Sequence, residues 1–396
     1  MKIEHVEAVF TDDQGQPRSV YFAGQTVNGV LKFRVAEEFP VNSVVLKCKG
    51  KSHVKWENDD DKTIHYDELY MEEKVYLVGS EDSNDFKQDL HVGEHTHNFS
   101  FKLREDLPTS FESKHAYVRY FVCAKFSRPG WKKDYEFREP FTVLTIIDLN
   151  TIPEAQTPVH STDTDTVGCC CCAEGPIRSE FKVDRAGYVP GEYIGINAEI
   201  DNRTSKVMSE SRVELWMKLK LKAGSDRKTK KTKIAELRHG STNPGGQDIW
   251  SRDRLHIPPC PPTLMEDCTI IDITYYLHFV GDIGFLGVLH EVPILIGSVP
   301  LSNVYSMPNN WGFMPPPSLT QPPTMSNPPL VDPAGISLSP ITTQPGLLPS
   351  APPPSYHDSL EFTGTIVTEK NEGQKKEKAF KPTYIYYNFG TGPLTM

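Results

Sequence analysis

Alternation of apolar and polar side chains at period two is the feature that most constrains this chain. Gly29, Leu31, Phe33 and Val35 fall on one side of a run whose other side carries Val30, Lys32 and Arg34. Phe99, Phe101 and Leu103 repeat the pattern. So do Val118, Tyr120, Val122, Ala124 and Phe126, with Arg119 and Lys125 opposite. Only an extended strand sends successive side chains to opposite faces, so these runs are strands with one face buried. Turn signals divide them at Asp12-Asp13-Gln14-Gly15, Asn58-Asp59-Asp60-Asp61 and Arg128-Pro129-Gly130. Short strands without helical crossovers predict an antiparallel sandwich over residues 1–149. Asp67 to Val78 reads ambiguously and has room for a short helix.

The same pattern returns further on. Ile194, Ile196, Ala198 and Ile200 share a face, and Val213, Leu215, Met217, Leu219 and Leu221 form another apolar stripe. Gly224-Ser225-Asp226 turns the chain into a strand through Ile234 and Leu237. Two last strands, Cys268 to Val280 and Phe285 to Ile296, join at Gly281-Asp282-Ile283-Gly284. Residues 175–301 therefore predict a second sandwich. Between the two, residues 150–174 are rich in Thr, Pro and Asp and read as an interdomain linker. An internal echo relates the halves: Tyr21-Phe22-Ala23-Gly24-Gln25 opens one early strand and Tyr188-Val189-Pro190-Gly191-Glu192 opens its counterpart. The glycine would permit the tight turn that admits each strand.

Residues 302–396 differ in kind. Between Leu301 and Tyr356 the only charged side chain is Asp332, and prolines cluster at 315–317, 322–323, 328–329 and 352–354. Proline fixes φ and removes a donor, so this stretch predicts a disordered tail with polyproline II bias. Within it Pro353-Pro354-Ser355-Tyr356 has the form Pro-Pro-x-Tyr, which aromatic grooves of WW domains clasp. Lys381-Pro382-Thr383-Tyr384 departs from that form by one proline, leaving Pro382 and Tyr384 as a weak second motif. The fold class predicted is thus all-β: two tandem immunoglobulin-like sandwiches followed by a disordered Pro-rich tail.

Composition narrows the function. A net charge of −10 over 396 residues argues against a general nucleic-acid binder, because no basic field exists to release counterions. The first residues enter strand alternation at once, without the apolar core of a signal peptide. The most apolar region, residues 273–301, is broken by Asp282, Glu291 and Pro293 and does not read as a membrane span. Eight cysteines without a secretory signal fit a reducing cytosol.

Other clusters carry more than one reading. Cys169, Cys170, Cys171 and Cys172 are adjacent, whereas zinc ligands need spacers, so the run suits S-acylation or else a plain reduced linker. His91, His95 and His97 with Glu94 resemble a metal cluster on paper, but His95 and His97 share a strand face with Phe99 and Phe101 and read as structural. Lys218, Lys220 and Lys222 share one strand face, and Lys228, Lys230 and Lys231 follow. They offer a patch for anionic lipid or phosphate, each lysine contributing about 1 kcal/mol near an anionic surface. The alternative is a solvated hairpin whose lysines guard an edge strand. No zinc-protease, nucleophile-elbow or phosphate-loop motif is present in the sequence, so no catalytic residue, metal or cofactor is expected.

Taken in order, the paired strand entries, Glu105-Asp106-Leu107-Pro108-Thr109-Ser110-Phe111-Glu112 with Val118-Arg119-Tyr120, Ile257-Pro258-Pro259 with Cys268-Thr269-Ile270-Ile271, and Val292-Pro293-Ile294-Leu295-Ile296-Gly297 resemble the arrestin fold. With a Pro-Pro-x-Tyr tail, the chain is similar to the α-arrestins. Asp272 departs from the family, which usually has a basic residue there. The resemblance implies an adaptor, not an enzyme. Its tail would recruit WW-domain HECT-class ubiquitin ligases, and its sandwiches would hold membrane receptor or transporter cargo for ubiquitination, endocytosis and endosomal sorting. Such a protein would be cytoplasmic, peripherally at the plasma membrane and endosomes. Two alternatives share the fold: a thioredoxin-binding redox regulator and a ligase-independent sorting scaffold. The thioredoxin-binding relative carries a cysteine shortly before the tryptophan that matches Trp250. Here Gly246, Gln247, Asp248 and Ile249 fill that approach.

Overall fold

The computed structural model describes residues 2–12, 14–80, 87–130, 132–166, 175–263, 268–283, 286–302, 355–358, 364–371 and 374–389. Among them strands dominate, and the helical turns are two short 3-10 segments, Leu149–Thr151 and Pro153–Gln156.

The N-terminal sandwich sets a three-stranded sheet against a larger one. Ile3–Thr11, Thr26–Val35 and Gly93–Lys102 pair antiparallel to make the small sheet. The large sheet runs Tyr135–Leu144, Ala116–Ser127, Ser43–Glu57, Thr63–Val78 in spatial order. The alternating apolar residues face inward as the pattern requires: Leu31, Phe33, Phe101, Val118, Tyr120 and Phe126 are all buried. Thr63–Val78 is a single 16-residue strand at the sheet edge, not a helix. Its ambiguity has a physical cause. An edge strand with both faces part-exposed, including Tyr66 and Leu69, needs no apolar alternation to pair.

The C-terminal sandwich repeats the plan. Val159–Thr166, Pro176–Val183, Tyr193–Asn202 and Gln247–His256 form one sheet, and Leu286–Ile296, Ile271–Ile283, Ser211–Ala223 and Asp226–His239 form the body of the other. Val159–Thr166 lies inside the stretch expected to be linker. It pairs with Pro176–Val183 over its whole length and is the edge strand of the second domain. Its polar sequence, Val-His-Ser-Thr-Asp-Thr-Asp-Thr, hid it, since an outer edge strand buries little. The connection proper is Leu149–Gln156.

The sequence echo is a structural repeat. Val20–Phe22 adds in parallel to the end of Tyr135–Leu144, and Gly187–Tyr188 adds in parallel to the end of Leu286–Ile296. Farther along, Tyr120 donates its hydroxyl to the Pro108 carbonyl at 2.7 Å and Tyr275 to the Pro261 carbonyl at 2.7 Å. Two residues past each proline, a hydroxyl closes the last strand: Ser110 Oγ accepts from Val143 N and Thr263 Oγ1 from Ile296 N. Each domain thus binds the loop before its Tyr120 or Tyr275 strand to its own final strand. These hydrogen bonds are buried and hold both sandwiches shut at the end where they meet.

Within residues 302–396 the described pieces are paired rather than disordered. Ser355–Asp358, Gly364–Asn371, Gln374–Phe380 and Thr383–Tyr386 are strands. Gly364–Asn371 joins the free edge of Tyr135–Leu144, extending the large N-terminal sheet by a hairpin. Ile366 and Phe380 of that hairpin bury against Phe121 and Cys123.

Candidate functional site

Beyond the hairpin the chain enters the junction between the two domains. Tyr384 and Tyr387 are each 1% exposed and Ile385 is buried, and all three belong to the continuous core that runs through both domains. Leu144, Thr145, Pro190, Cys260, Pro262 and Ser298 line the cavity beside Tyr384 and Ile385. Polar atoms are met on both sides. Tyr384 donates to the Ser110 carbonyl at 3.1 Å and Thr383 N to Thr142 Oγ1 at 3.3 Å, both in the N-terminal domain. Tyr387 donates to the Ser298 carbonyl at 2.8 Å, and its N–H to Pro190 O at 3.0 Å, in the C-terminal domain. Tyr386, half-buried, pairs with His256 Nε2 at 3.0 Å.

Gly191 makes this docking possible. Its φ is +97°, and a Cβ there would lie 1.9 Å from the Tyr387 carbonyl oxygen. No side chain fits that space.

The energetics are close to balance. Burying three large side chains contributes about 5–9 kcal/mol and the hydrogen bonds about 2–6 kcal/mol. Ordering residues 383–389 costs about 7–14 kcal/mol.

Two site expectations meet this geometry directly. Tyr384, offered as half of a weak second motif, is a buried anchor, and Pro382 is buried beside it. Neither is presented to a partner in this conformation. The aromatic run Tyr384-Ile385-Tyr386-Tyr387 was the available signal, because so dense an apolar cluster is seldom left in solvent. Of the principal motif, Pro353 and Pro354 lie outside the described residues. Ser355 and Tyr356 begin a strand that pairs antiparallel with the docked segment, Tyr356 opposite Ile385 and His357 opposite Tyr384.

The lysine patch divides. Lys218 stands opposite Lys231 and Lys220 opposite Thr229, and Lys222 continues this row, so these lysines share the outer face. Lys228 and Lys230 oppose the inward-facing Leu221 and Leu219 and turn the other way; Lys228 donates to the Glu57 carbonyl of the first domain at 3.4 Å. On the outer face Lys220 pairs with Asp272 at 3.5 Å, and Lys231 sits 5.1 Å from the Tyr276 ring. Asp272 therefore neutralises part of the patch. Cys169, Cys170, Cys171 and Cys172 lie outside the described residues. His95 and His97 stack on Phe33 at 4.9 and 5.8 Å between centroids.

The surroundings of Trp250 bear on redox chemistry. Its indole N–H donates to Asp248 at 2.9 Å and to Ser211 at 3.0 Å, and His239 stacks on it at 3.7 Å. Asp248, within the Gly246–Ile249 approach, is bound up with Ser211, His239 and Trp250. Among the described cysteines, burial pushes the Cys48 and Cys260 thiols up to about 12 and raises those of Cys123 and Cys268. Such thiols are poor nucleophiles.

Comparison with known proteins agrees with the repeat. The family model "Arrestin (or S-antigen), N-terminal domain" matches residues 10–150, and "Arrestin (or S-antigen), C-terminal domain" matches residues 173–301. The chain is 26% identical over 433 aligned positions to Arrestin domain-containing protein 17 of Caenorhabditis elegans, covering 98% of this chain and 99% of that relative. It is 28% identical over 315 positions to Arrestin domain-containing protein 4 of Mus musculus, covering 76% and 73%. With Arrestin domain-containing protein 1 of the same species it shares 27% over 267 positions, covering 66% and 58%.

Proposed function

The chain belongs to the α-arrestin, or arrestin domain-containing, family, and from that premise we propose that it is an adaptor joining membrane cargo to a WW-domain ubiquitin ligase. One observation supports this reading above the rest: Pro353-Pro354-Ser355-Tyr356 follows two complete sandwiches on the same chain. The prolines supply a preformed extended ligand and Tyr356 fills the tyrosine pocket of a WW groove, so little entropy is lost on binding. The sandwiches, with the outer lysine row and the long edge strand Thr63–Val78, offer surface to a receptor or transporter tail at the cytoplasmic leaflet. Ligase recruitment would then lead to cargo ubiquitination, endocytosis and endosomal sorting.

The test is a pull-down of HECT-class ligase WW domains by the full chain and by Tyr356→Ala. Loss of the ligase with Tyr356→Ala is expected, because half of the recognition surface is removed. Undiminished capture overturns the assignment.

A further inference from the structure

Tyr356 is not simply displayed on a tail. Ser355–Asp358 forms a four-residue ladder with Thr383–Tyr386, in the register Ser355 to Tyr386 and Asp358 to Thr383. The partner strand is itself held between the domains by Tyr384 and Tyr387. We propose that the chain masks its own ligase-binding motif: the docked C-terminal strand competes with a WW domain for the backbone around Tyr356, and undocking at the domain junction frees it. This inference rests on the WW-ligand reading given above.

The steric argument is short. Ladder partners lie about 4.8 Å apart, which leaves no space for a folded domain on that side of the chain. The partner strand cannot shift aside while its tyrosines remain in the junction. Masked and ligase-bound states therefore exclude each other, and the apparent affinity falls by the fraction of chains in which the motif is free. A two-stranded ribbon is marginal by itself, so the docking of Tyr384 and Tyr387 sets the strength of the mask. Because that docking touches Ser110 and Thr142 in one domain and Pro190 and Ser298 in the other, anything that separates the domains also exposes the motif. By linkage, ligase binding favours the same opening.

The experiment measures binding of an isolated WW domain from a HECT-class ligase to three partners: the full chain, the full chain with Tyr384→Ala and Tyr387→Ala, and a synthetic peptide of residues 348–362. The expected result is tight binding by the peptide, about tenfold weaker binding by the full chain, and recovery toward the peptide value in the double variant. Equal affinity of full chain and peptide overturns the mask and leaves the ligand reading intact. A peptide that does not bind overturns the ligand reading, and the mask with it. Hydrogen exchange on the unaltered full chain supplies a second readout that does not depend on the variant folding. The alternate amides of Ser355–Asp358 that face Thr383–Tyr386 are expected to be protected, and to lose protection when saturating WW domain is added. Exchange at the unfolded rate without WW domain overturns the proposal.

Discussion

The two strand-entry turns are the same device with different work. At the first, Arg18 Nε donates to Val20 O, its Nη2 to Gln25 Oε1, and Phe22 N to the same Gln25 oxygen. At the second, Arg185 Nε donates to Gly187 O, its Nη2 to Glu192 Oε1, and Val189 N to Glu192 Oε2. Each arginine lies over a buried tyrosine ring, Tyr21 at 4.8 Å and Tyr188 at 4.4 Å. What differs is the setting. Around Gly24 the nearest obstacle is the flexible Glu105 side chain at 3.1 Å, whereas Gly191 faces the Tyr387 backbone. Gln25 is neutral in a part-exposed turn, while Glu192 and Arg185 are an ion pair with side chains 4% and 8% exposed. One copy admits a strand. The other admits a strand and receives the tail.

Alanine at the two glycines should break that equivalence most sharply. Both have positive φ, which costs a residue with Cβ about 1–2 kcal/mol. Gly24→Ala needs only a shift of Glu105, so a loss of about 1 kcal/mol is expected. Gly191→Ala must also push Tyr387 out of the junction; a loss of about 2–3 kcal/mol is expected, together with chymotryptic cleavage at Tyr386 and Tyr387. Paired urea unfolding and limited proteolysis measure both. Equal losses with an intact tail would show that the second turn is not shaped for the tail.

The charge difference comes next. Glu192→Gln removes the buried carboxylate from Arg185, which keeps the half-exposed Asp184 at 3.3 Å, and about 1–2 kcal/mol should be lost. Gln25→Glu places a carboxylate beside a part-exposed Arg18, where an ion pair contributes little, so the change should stay within about 0.5 kcal/mol. If the two substitutions cost the same in urea unfolding, burial does not separate the turns.

How much of this was legible follows from where each residue does its work. Tyr21, Gly24 and Gln25 share spacing with Tyr188, Gly191 and Glu192, so the repeat was readable; the arginines at 18 and 185 complete it but leave no mark in a period-two pattern. Leu31, Phe33 and Tyr120 announce strands because they alternate against a core. Val159–Thr166 and Thr63–Val78 are edges that hydrogen bond without burying much, and hydrogen bonding alone leaves little trace in side-chain pattern. The tail was the hardest case. Its docking depends on a space left by Gly191, some two hundred positions earlier in the chain, and no local rule connects them. The proline motif was plain in the sequence, while its pairing with Thr383–Tyr386 was not.

The gentlest contrast is in acid. His239 ends the edge strand Asp226–His239 of one C-terminal sheet and reaches across to Asp248 at 3.0 Å and Asp253 at 3.3 Å on the edge strand of the other. Burial works against its charge, but the hydrogen bonds to Asp248 and Asp253 outweigh burial and hold its pKa above the ordinary value. A raised folded-state pKa contributes stability below the unfolded pKa, and that stability disappears as pH rises through the folded value. His53 of the N-terminal domain also meets a carboxylate, Asp67 at 3.1 Å, but within one sheet, and there burial prevails and lowers its pKa. Its contribution is present above the unfolded pKa and is lost as pH falls. Between about pH 8 and about pH 5.5, where free histidine takes up its proton, the stability gap between wild type and His239→Gln should widen on acidification. The gap between wild type and His53→Gln should narrow. Urea midpoints at the two pH values test both signs at once; gaps moving in the same direction would mean that a histidine spanning two sheets behaves no differently from one held within a sheet.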